Sequence, residues 1–514
     1  MTSTQSNSGV PLTIGVVGAG TMGQGIVQLF AQAGHRVRVF DAADGAAAKA
    51  VAAVTAMLTR LVEKGRLTTD EYEAVRARML SASQLSDLAD CDLVIEAIVE
   101  NLEIKRQLFR DVEGIVREDA ILASNTSSLT VSEIAAACAR PQQVAGLHFF
   151  NPVPLMKVAE VIAAVRTAPT VVERLRGLIE GAGHRAVVAA DQPGFLVNHA
   201  GRGLYTEGLR LVEEGVATPD AVDRVLREAA GFRMGPFELL DLTGLDVSSK
   251  VMESIYEQFQ QEPRYRPSSL VPPRVAAGLF GRKSGAGWYV YDEKGGRVDP
   301  PLPTVPPLPA GLALWIDPEA ARRVDIAALA GANGVLVVDR AEDAALQVIQ
   351  PWGRDATSHA VARGLDATRC VAIDPLPDFS VHRTLMLTAV TAGEARDAAW
   401  ALLAADGGRV TVINDSPGFI TQRVLATIVN IAATIAQRGI ATVEDLEDAV
   451  RLGLGYPLGP LSWGDRIGGS RILEILHAIQ EQTGDPRYRP NPWLTRRVQL
   501  GLSLLTPDAA RCKS

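Results

Sequence analysis

The stretch Leu12–Asp41, LTIGVVGAGTMGQGIVQLFAQAGHRVRVFD, decides the fold of the first part of this chain. It begins with an apolar run, passes through a glycine-rich turn, continues with helical spacing as far as Ala33, and ends in a second short run at Arg36–Asp41. A change from a period of two to a period of 3.6 and back predicts a strand, a helix and a second strand. Such βαβ units build parallel sheets that are covered by helices.

Further short apolar runs follow this unit, each separated from the next by a stretch with helical spacing. They lie at Leu93–Ala97, Ala120–Ala123 and Val144–Phe149. Strands that alternate with helices are typical of a doubly wound parallel sheet. The sequence therefore predicts a Rossmann-type α/β domain over residues 1–190.

Beyond this domain the pattern changes. Amphipathic helical spacing without convincing strands predicts an all-α domain over residues 191–292. Six prolines between Pro300 and Pro309 indicate that residues 293–310 form an extended linker. Strand-like runs without a glycine fingerprint predict a degenerate α/β remnant over 311–414, and helical spacing returns over 415–514.

The two halves of the chain share repeated motifs. The sequence Asp191-Gln-Pro-Gly-Phe195 recurs 224 residues later as Asp415-Ser-Pro-Gly-Phe419, and a Gly-Pro pair at 235–236 recurs at the same offset. Pro-Arg-Tyr-Arg-Pro at 263–267 also returns at 486–490. Similarity at a nearly fixed offset indicates an internal repeat. We expect the second half to be a degenerate repeat of both the α/β and the helical domain.

Composition and charge argue against several classes of protein. The 514 residues, 47% of them hydrophobic and 21% charged, are typical of a globular protein with more than one domain. A net charge of −8 without a Lys/Arg-rich run argues against nucleic acid as a partner, and no membrane-spanning stretch stands out. The four cysteines lack CxxC spacing, which argues against a metal site and a disulfide framework. We expect a cytoplasmic protein.

The glycine-rich turn has the context of a dinucleotide-binding fingerprint, because it follows a predicted strand and opens a predicted helix. Gly18 permits the tight turn, Gly20 lets the backbone approach a pyrophosphate, and Gly23 allows close packing of helix on strand. Asp41, at the end of the second strand, is placed to accept hydrogen bonds from ribose hydroxyls and to repel a 2′-phosphate. The pattern favours NAD over NADP, with FAD as a weaker alternative.

Longer motifs resemble the L-3-hydroxyacyl-CoA dehydrogenase family. They are Asn125-Thr-Ser-Ser128, Gly146-Leu-His-Phe-Phe-Asn-Pro-Val-Pro154, Glu160, and Asp191-Gln-Pro-Gly-Phe-Leu-Val-Asn198. The resemblance runs nearly without interruption from Ile14 to Tyr289. It implies an enzyme that oxidises an L-3-hydroxyacyl-CoA to a 3-oxoacyl-CoA with NAD as the cofactor.

The resemblance also implies roles for individual residues. Oxidation of a secondary alcohol needs a base for the hydroxyl proton, and a histidine is suited to this task near neutral pH. His148 is the candidate base, and Glu160 would orient its ring and stabilise its protonated form. Ser127 and Asn198 would form hydrogen bonds with the reacting oxygens of the substrate, and Ser127 would also contact the cofactor.

Several outlying residues match further family positions. Glu100, Lys105, Asn151 and Lys283 are implied to contact the cofactor or the CoA. Lys105 is implied as a substrate contact as well, and Lys64 is a weaker candidate for binding the CoA. A family serine near that lysine is replaced by Met57, which puts the contacts to the adenosine phosphate in doubt.

The second half lacks this set of residues. Val371-Ala-Ile-Asp-Pro375 stands where the first half has its histidine motif, and Gln422 stands where Asn198 would recur. We expect this half to bind no NAD and to do no chemistry. Because single-repeat family members pair through their helical domains, we expect the second helical repeat to pack on the first as an intrachain pseudo-dimer, with a further homodimer also open.

The duplicated layout resembles that of bacterial family members that act in phenylacetate degradation, whose implied substrate is 3-hydroxyadipyl-CoA. Residues 453–463, GLGYPLGPLSW, contribute to this resemblance. A short-chain substrate such as 3-hydroxybutyryl-CoA, in fatty-acid catabolism, remains open. Two other functions are alternatives. A β-hydroxyacid dehydrogenase shares the glycine-rich start but would use a lysine in place of the His–Glu pair, and a non-catalytic NAD-binding structural protein would be expected to lose catalytic residues.

Overall fold

The computed structural model describes residues 11–509. Cys512 therefore lies outside the described residues, whereas Cys91, Cys138 and Cys370 are free thiols. In the first 190 residues the strands are β1 Thr13–Val17, β2 Arg36–Phe40, β3 Met79–Ser81, β4 Leu93–Glu96, β5 Ile121–Ser124, β6 Val144–Phe149, β7 Val158–Ala163 and β8 Arg185–Ala190. The helices of this region are α1 Thr21–Gln32, α2 Ala46–Glu63, α3 Thr69–Arg76, α4 Leu102–Glu113, α5 Val131–Ala135 and α6 Pro169–Gly181.

These strands form one eight-stranded sheet in the order β3-β2-β1-β4-β5-β6-β7-β8. β1 to β6 run parallel, but β7 pairs with β6 in the antiparallel direction and β8 runs parallel to β7. The five strands predicted from sequence, β1, β2, β4, β5 and β6, are parallel, and the reversed strands β7 and β8 were not predicted. The connection at 150–157 contains no crossover helix, and a connection this short reverses the chain.

Helices cover both faces of this sheet. Alternate residues of the central strands point to opposite faces, so that Ile95 packs with α1, α2 and α6, while Val94 packs with α4 and α5. The order of strands changes direction between β1 and β4, and in open α/β sheets ligands bind at the carboxyl ends of the strands beside such a point. The glycine-rich turn after β1 lies at this edge.

The rest of the chain is mainly helical, with a second sheet. Its helices are α7 Val197–Ala200, α8 Arg202–Glu213, α9 Pro219–Ala230, α10 Pro236–Thr243, α11 Leu245–Gln258, α12 Val271–Ala276, α13 Arg323–Ala332, α14 Ala356–Ala362, α15 Gly393–Leu403, α16 Thr421–Arg438, α17 Val443–Gly453, α18 Pro460–Ile467, α19 Gly469–Thr483 and α20 Pro492–Gln499. Its strands are β9 Val290–Tyr291, β10 Arg297–Val298, β11 Ala313–Ile316, β12 Leu336–Val337, β13 Leu346–Ile349, β14 Cys370–Ile373, β15 Arg383–Leu387 and β16 Val410–Ile413.

The second sheet repeats part of the topology of the first. Its six strands lie in the order β12-β11-β13-β14-β15-β16, parallel except where β14 meets β15. This is the order and direction of β2-β1-β5-β6-β7-β8, without counterparts of β3 and β4. A separate small hairpin pairs β9, which lies just before the predicted linker 293–310, with β10, which lies inside it.

The described residues form two compact units. The first contains residues up to His199 together with Arg438–Leu454, and the second contains Ala200–Gln437 and the chain from Gly455 onward. Helix α17 lies within residues 415–514, which were predicted to form the second helical repeat, and it packs with β7 and β8 of the first sheet. No helix in the described part of the chain has both the length and the apolar character needed to cross a membrane.

Candidate active site

His148 and Glu160 lie directly opposite each other in the antiparallel pair β6–β7. His148 Nδ1 and Glu160 Oε2 are 2.5 Å apart, and both side chains are almost completely buried. Side chains that face each other across an antiparallel pair lie on the same side of the sheet. The chain reversal between these strands therefore converts a separation of 12 residues into a direct contact.

The second carboxylate oxygen of Glu160 is also bound. Oε1 accepts hydrogen bonds from the backbone amides of Leu196 at 2.9 Å and Val197 at 2.8 Å. Phe195 and Phe150 flank the imidazole ring of His148, with ring centroids 5.9 and 4.5 Å away. Because Nδ1 is held by Glu160, Nε2 is the nitrogen that remains for proton exchange with a ligand.

Asn198 follows these amides directly and contacts the loop that carries Ser127. Its Nδ2 lies 3.5 Å from the carbonyl oxygen of Ser127, and both residues are partly exposed. The carboxylate of Asp191 accepts the amides of Val131 at 2.9 Å and Ser132 at 2.7 Å, at the start of α5. Asp191 therefore fixes the helix that ends this loop.

Glu100 holds the other end of the same loop. Its Oε1 accepts hydrogen bonds from the Thr126 hydroxyl at 2.6 Å, the Ser127 amide at 3.1 Å and the Ser128 hydroxyl at 2.9 Å. Burial alone would raise the pKa of Glu100, but Lys105 and these hydrogen bonds outweigh burial and lower the pKa. The carboxylate is thus ionised, and it fixes the backbone of the loop that contains Ser127.

Lys105 lies inside the protein between two carboxylates. Its side chain is 1% exposed, and Nζ lies 2.5 Å from Glu96 and 3.2 Å from Glu100. Lys105 thus compensates the charge of two carboxylates inside the protein.

The glycine-rich turn has the packing that its pattern predicts. Gly18 has a φ of 113°, and a Cβ there would lie 2.4 Å from the carbonyl oxygen of Ala97. A Cβ on Gly23 would lie 1.9 Å from the carbonyl oxygen of Gly18. A Cβ on Gly20, in contrast, would meet nothing within 4 Å, so the backbone at this residue is open to a ligand.

Asp41 is held beside this turn. Its carboxylate accepts the amide of Ala19 at 2.8 Å and the amide of Ala43 at 2.9 Å. The side chain therefore lies next to the N-terminus of α1, where the helix favours a bound anion. An open glycine, a helix N-terminus and an acid after the second strand fit the pyrophosphate and ribose of a dinucleotide.

The remaining predicted residues lie further out. Asn151 is exposed and immediately follows β6 and Phe150. Lys64 is exposed at the end of α2, on which Met57 is also exposed. Lys283 belongs to the second unit, where its Nζ lies 2.5 Å from Asp246.

The second sheet carries a different pair at the position of His148 and Glu160. The Asp374 amide donates to the Thr384 carbonyl at 3.1 Å, one residue beyond the last register pair of β14–β15. Gln422 Nε2 donates to the Asp374 carboxylate at 2.8 Å. Burial raises the pKa of Asp374 to about 6. A carboxyl and a hydroxyl thus stand where the first sheet has an imidazole and a carboxylate.

Sequence reasoning missed three residues that support the site. Asn125 Oδ1 accepts the amide of Phe149 at 2.9 Å and so ties the Ser127 loop to β6. Glu96 binds Lys105 and the Ser124 hydroxyl, and Asp191 caps α5. Sequence signals for these residues were present. Asn125 and Asp191 lie inside the recognised motifs, and Glu96 is a charged residue at the end of a buried apolar strand. Within residues 11–509 there is no group of His, Cys, Asp or Glu side chains suited to a metal ion.

Comparison with protein families gives two matches. Residues 13–192 match the 3-hydroxyacyl-CoA dehydrogenase NAD binding domain. The 3-hydroxyacyl-CoA dehydrogenase C-terminal domain matches twice, over residues 194–291 and again over 418–505. Together these matches cover most of the chain.

Individual relatives agree with the family matches. A 3-hydroxyadipyl-CoA dehydrogenase of Escherichia coli K12 is 38% identical over 488 residues, which is 95% of this chain and 98% of that protein. A probable 3-hydroxybutyryl-CoA dehydrogenase of Deinococcus radiodurans is 41% identical over 54% of this chain and its own full length. The crystal structure of a 3-hydroxybutyryl-CoA dehydrogenase from Escherichia coli K12 aligns with a TM-score of 0.83 at 35% identity, over 96% of this chain and 99% of that one.

Proposed function

The chain belongs to the 3-hydroxyacyl-CoA dehydrogenase family, and from that premise we propose that its first half carries out the family reaction with His148 as the base. The protein is an NAD-dependent oxidoreductase that interconverts an L-3-hydroxyacyl-CoA and a 3-oxoacyl-CoA. The observation that carries the assignment of the base is the 2.5 Å contact between His148 Nδ1 and Glu160 Oε2.

His148 takes the proton of the substrate hydroxyl at Nε2. The ring then becomes positively charged in a buried position, and such a charge is costly unless it is paired. Glu160 supplies the paired charge, and its two backbone hydrogen bonds hold its carboxylate in position beside the ring. Positioning of the base and stabilisation of its charged form are thus contributed by one side chain.

Ser127 and Asn198 are proposed to bind the reacting oxygens of the substrate. The 3.5 Å contact between Asn198 Nδ2 and the Ser127 carbonyl supports a shared location for the two side chains. Asn198 follows the amide of Val197, which donates to Glu160, so the base and the asparagine belong to one hydrogen-bonded network. Glu100 contributes indirectly, because it holds the backbone of Ser127.

NAD, when bound, accepts the hydride that leaves C3 of the hydroxyacyl group. We assign Gly18, Gly20 and Gly23 to its pyrophosphate and Asp41 to the adenosine ribose. The open side of Gly20 and the position of Asp41 beside Ala19 support this assignment. Asn151 and Lys283 remain proposed cofactor contacts, and Lys64 remains a proposed contact of the CoA.

For the substrate we propose a dicarboxylic or short-chain acyl-CoA, with 3-hydroxyadipyl-CoA ahead of 3-hydroxybutyryl-CoA. Support comes from the relative that matches almost the whole chain and is named a 3-hydroxyadipyl-CoA dehydrogenase. The relatives named 3-hydroxybutyryl-CoA dehydrogenases match only about half of this chain. A role in phenylacetate catabolism follows from the first substrate, and a role in fatty-acid catabolism from the second.

The second half is proposed to be a degenerate, non-catalytic repeat. Asp415 accepts the amides of Ala356 and Thr357, as Asp191 does for α5, and Phe419 has a φ of 51° where Phe195 has 47°. In place of the glycine turn, β11 is followed by the buried Asp317. Arg363 donates to this carboxylate at 2.5 Å, so a buried ion pair stands where the first half has an open glycine turn.

The repeats are further proposed to form an intrachain pseudo-dimer. In a two-fold arrangement each contact occurs twice with the partners exchanged. The amide of Ala190 donates to the carbonyl of Ile440 at 2.7 Å, and the amide of Asn414 donates to the carbonyl of Val216 at 2.9 Å. Asn414 corresponds to Ala190, and Val216 corresponds to Ile440, by the 224-residue offset.

A second pair of exchanged contacts supports the same arrangement. A Cβ on Gly231 would meet Pro457 at 3.7 Å, and a Cβ on Gly455 would meet Arg233 at 4.0 Å. These four residues are again related by the offset of 224. Close packing of α8 on α16 adds to this support, because a Cβ on Gly203 of α8 would lie 2.8 Å from the side chain of Ile428.

The test is consumption of NADH with acetoacetyl-CoA and with 3-oxoadipyl-CoA by the wild-type protein and by His148→Gln. Loss of the base is expected to reduce kcat by about 100- to 10,000-fold. Asp374→Asn is the matched control, because it changes the corresponding position of the second sheet and is expected to leave kcat unaltered. Equal rates for wild type and His148→Gln would refute the assigned base, and a large effect of Asp374→Asn would refute the inactive second half.

A further inference from the structure

Helix α17 comes from the far end of the chain but belongs to the first compact unit. It is fastened to β8 by Arg185, whose Nε lies 2.8 Å from Asp448 and whose guanidinium NH2 lies 2.8 Å from Asp445. Just before the helix, the carbonyl of Ile440 accepts the amide of Ala190 at the end of the same strand. The helix is therefore held at both ends of β8.

The last residue of α17, Gly453, lies against Val197, in the segment whose amides donate to Glu160. A Cβ on Gly453 would lie 3.1 Å from both methyl carbons of Val197 and 3.6 Å from Val158. The backbone conformation of this glycine is ordinary helix, so no torsion angle demands a glycine. A Cβ at this residue would instead press on Val197, which would have to move by a few tenths of an ångström to accept it.

Val197 links this contact to the chemistry. Its amide donates to Glu160 Oε1 at 2.8 Å, and its side chain is buried beneath α17. Asn198 is the next residue in the chain. Val158 begins β7, two residues before Glu160 on the same strand. The end of α17 thus touches both segments that meet at the carboxylate of Glu160.

We infer that α17 is part of the catalytic unit and that Gly453 is a positioning residue, which acts through Val197 to hold the backbone amides on Glu160 and to set Asn198. The inference rests on the proposed function for its catalytic consequence. It gives the second half a task beyond bulk stability, because one of its helices completes the support of a site that lies in the first half.

The corresponding position of the first helical repeat indicates that the helix itself does not need a glycine. Ala229 stands 224 residues before Gly453, near the end of α9. A side chain is therefore accepted at this point of the repeat. The glycine is specific to the helix that packs on Val197.

The experiment replaces Gly453 by valine in the full-length protein. The added methyl groups displace Val197 and loosen the hydrogen bonds to Glu160. We expect kcat to fall roughly tenfold to hundredfold, the range for loss of a hydrogen bond to a charged group, while KM for NAD stays within about twofold. The double variant Gly453→Val with Val197→Ala removes the collision and is expected to recover most of kcat.

The matched control is Gly469→Val. Gly469 is also a helical glycine, and its Cβ would lie 2.7 Å from a methyl carbon of Val498, but it lies in the second unit. We expect this variant to be less stable while kcat per folded molecule stays at the wild-type value. An equal loss of kcat in both glycine variants would mean a general effect on folding and would overturn the inference.

A readout independent of turnover separates this inference from the proposed function. In hydrogen–deuterium exchange with mass spectrometry, Gly453→Val should speed exchange of the peptide that contains the Leu196 and Val197 amides, and Gly469→Val should not. Unchanged exchange with unchanged kcat would refute the positioning role. Faster exchange in a protein whose wild type does not turn over acyl-CoA would support the contact and refute the proposed reaction.

Discussion

Glu160 lies opposite His148 across two antiparallel strands, and the 2.5 Å between Oε2 and Nδ1 makes this the central contact of the candidate active site. The same carboxylate accepts two backbone amides from the segment that leads to Asn198. A single side chain thereby connects the last strands of the sheet, the base and a substrate-binding residue. The consequences of this arrangement can be measured.

Removal of the charge of Glu160 should slow the reaction without unfolding the protein. Glu160→Gln keeps an oxygen for the amides of Leu196 and Val197 but no longer stabilises a protonated His148. We expect kcat to fall about tenfold to thousandfold, as charge stabilisation of this kind contributes several kcal/mol. Steady-state kinetics with acetoacetyl-CoA measures the effect, and circular dichroism checks the fold. An unchanged kcat would show that the pair does not act together.

Asp41 should decide between the two nicotinamide cofactors. Asp41→Asn retains an oxygen for the amide of Ala19 but removes the negative charge. We expect kcat/KM for NADPH to rise about tenfold, as a shift of about 1.4 kcal/mol in binding corresponds to a factor of ten. Comparison of NADH and NADPH kinetics measures this change. An equal kcat/KM of the wild-type protein for NADPH and NADH would contradict the role of Asp41.

Asp374 should weaken the protein at neutral pH. Burial raises its pKa to about 6, above the value of 3.8 for an exposed aspartate. The folded state therefore holds a proton that the unfolded state has already released, and stability falls as the pH rises through this window. Asp374→Asn removes the free-energy cost of ionising this buried carboxyl. The free energy of unfolding of the variant, relative to wild type, should therefore rise by up to about 3 kcal/mol between pH 4 and pH 7. Urea unfolding at several pH values measures the difference.

Asp406 provides a control of opposite sign in the same half. Hydrogen bonds from Arg383 lower the pKa of Asp406 to about 2. Its ionised form stabilises the fold above the unfolded pKa, and this contribution is lost as the pH falls through the folded value. Asp406→Asn should therefore be less stable than wild type at pH 7, with a smaller difference at low pH. A common pH trend for both variants would refute the assignment for Asp374.

Lys105 should matter for stability more than for CoA binding. Lys105→Met leaves Glu96 and Glu100 without their buried cation, and we expect a loss of about 3–5 kcal/mol in the free energy of unfolding. Lys64→Met, at an exposed site, should change stability by no more than about 0.5 kcal/mol. If Lys64 contacts the CoA, its variant should raise KM for acetoacetyl-CoA at constant kcat. A rise in KM for Lys105→Met without loss of stability would restore the sequence-based role.

Removal of the second half should expose the surface that packs between the helical repeats. A protein that ends near Asp292 lacks α16, against which Gly203 of α8 packs. It also lacks α17, which lies on Val197. We expect this shortened protein to self-associate or aggregate and to lose activity, as measured by light scattering and NADH consumption. A stable, fully active monomer would refute the pseudo-dimer.

Much of the first sheet was predictable from sequence, because its signals are local. The apolar run Val144–Phe149 coincides with β6, and the helix after the glycine turn ends one residue from its predicted end at Ala33. The turn itself requires glycine at Gly18, where φ is 113°. Periodicity, capping and torsional demands act over a few residues, so a single stretch of sequence reports them.

Strand direction and partners depended on contacts between distant residues. Alternation of polar and apolar residues does not state that β7 reverses, and it does not state that Glu160 faces His148. The burial of Lys105 between Glu96 and Glu100 follows from the packing of a helix on the sheet. Motif resemblance named the histidine and the glutamate, but the geometry of their pairing came only with the sheet.

The internal repeat likewise has one aspect that the sequence determined and one that only the tertiary structure decided. The sequence by itself determined that Asp191 and Asp415 head copies of one motif, because four of its five residues recur at an offset of 224. Only the tertiary structure decided that α17 packs on the first sheet and that Gly453 packs on Val197. Packing is a property of surfaces brought together by the whole chain, and no local pattern encodes which surfaces meet.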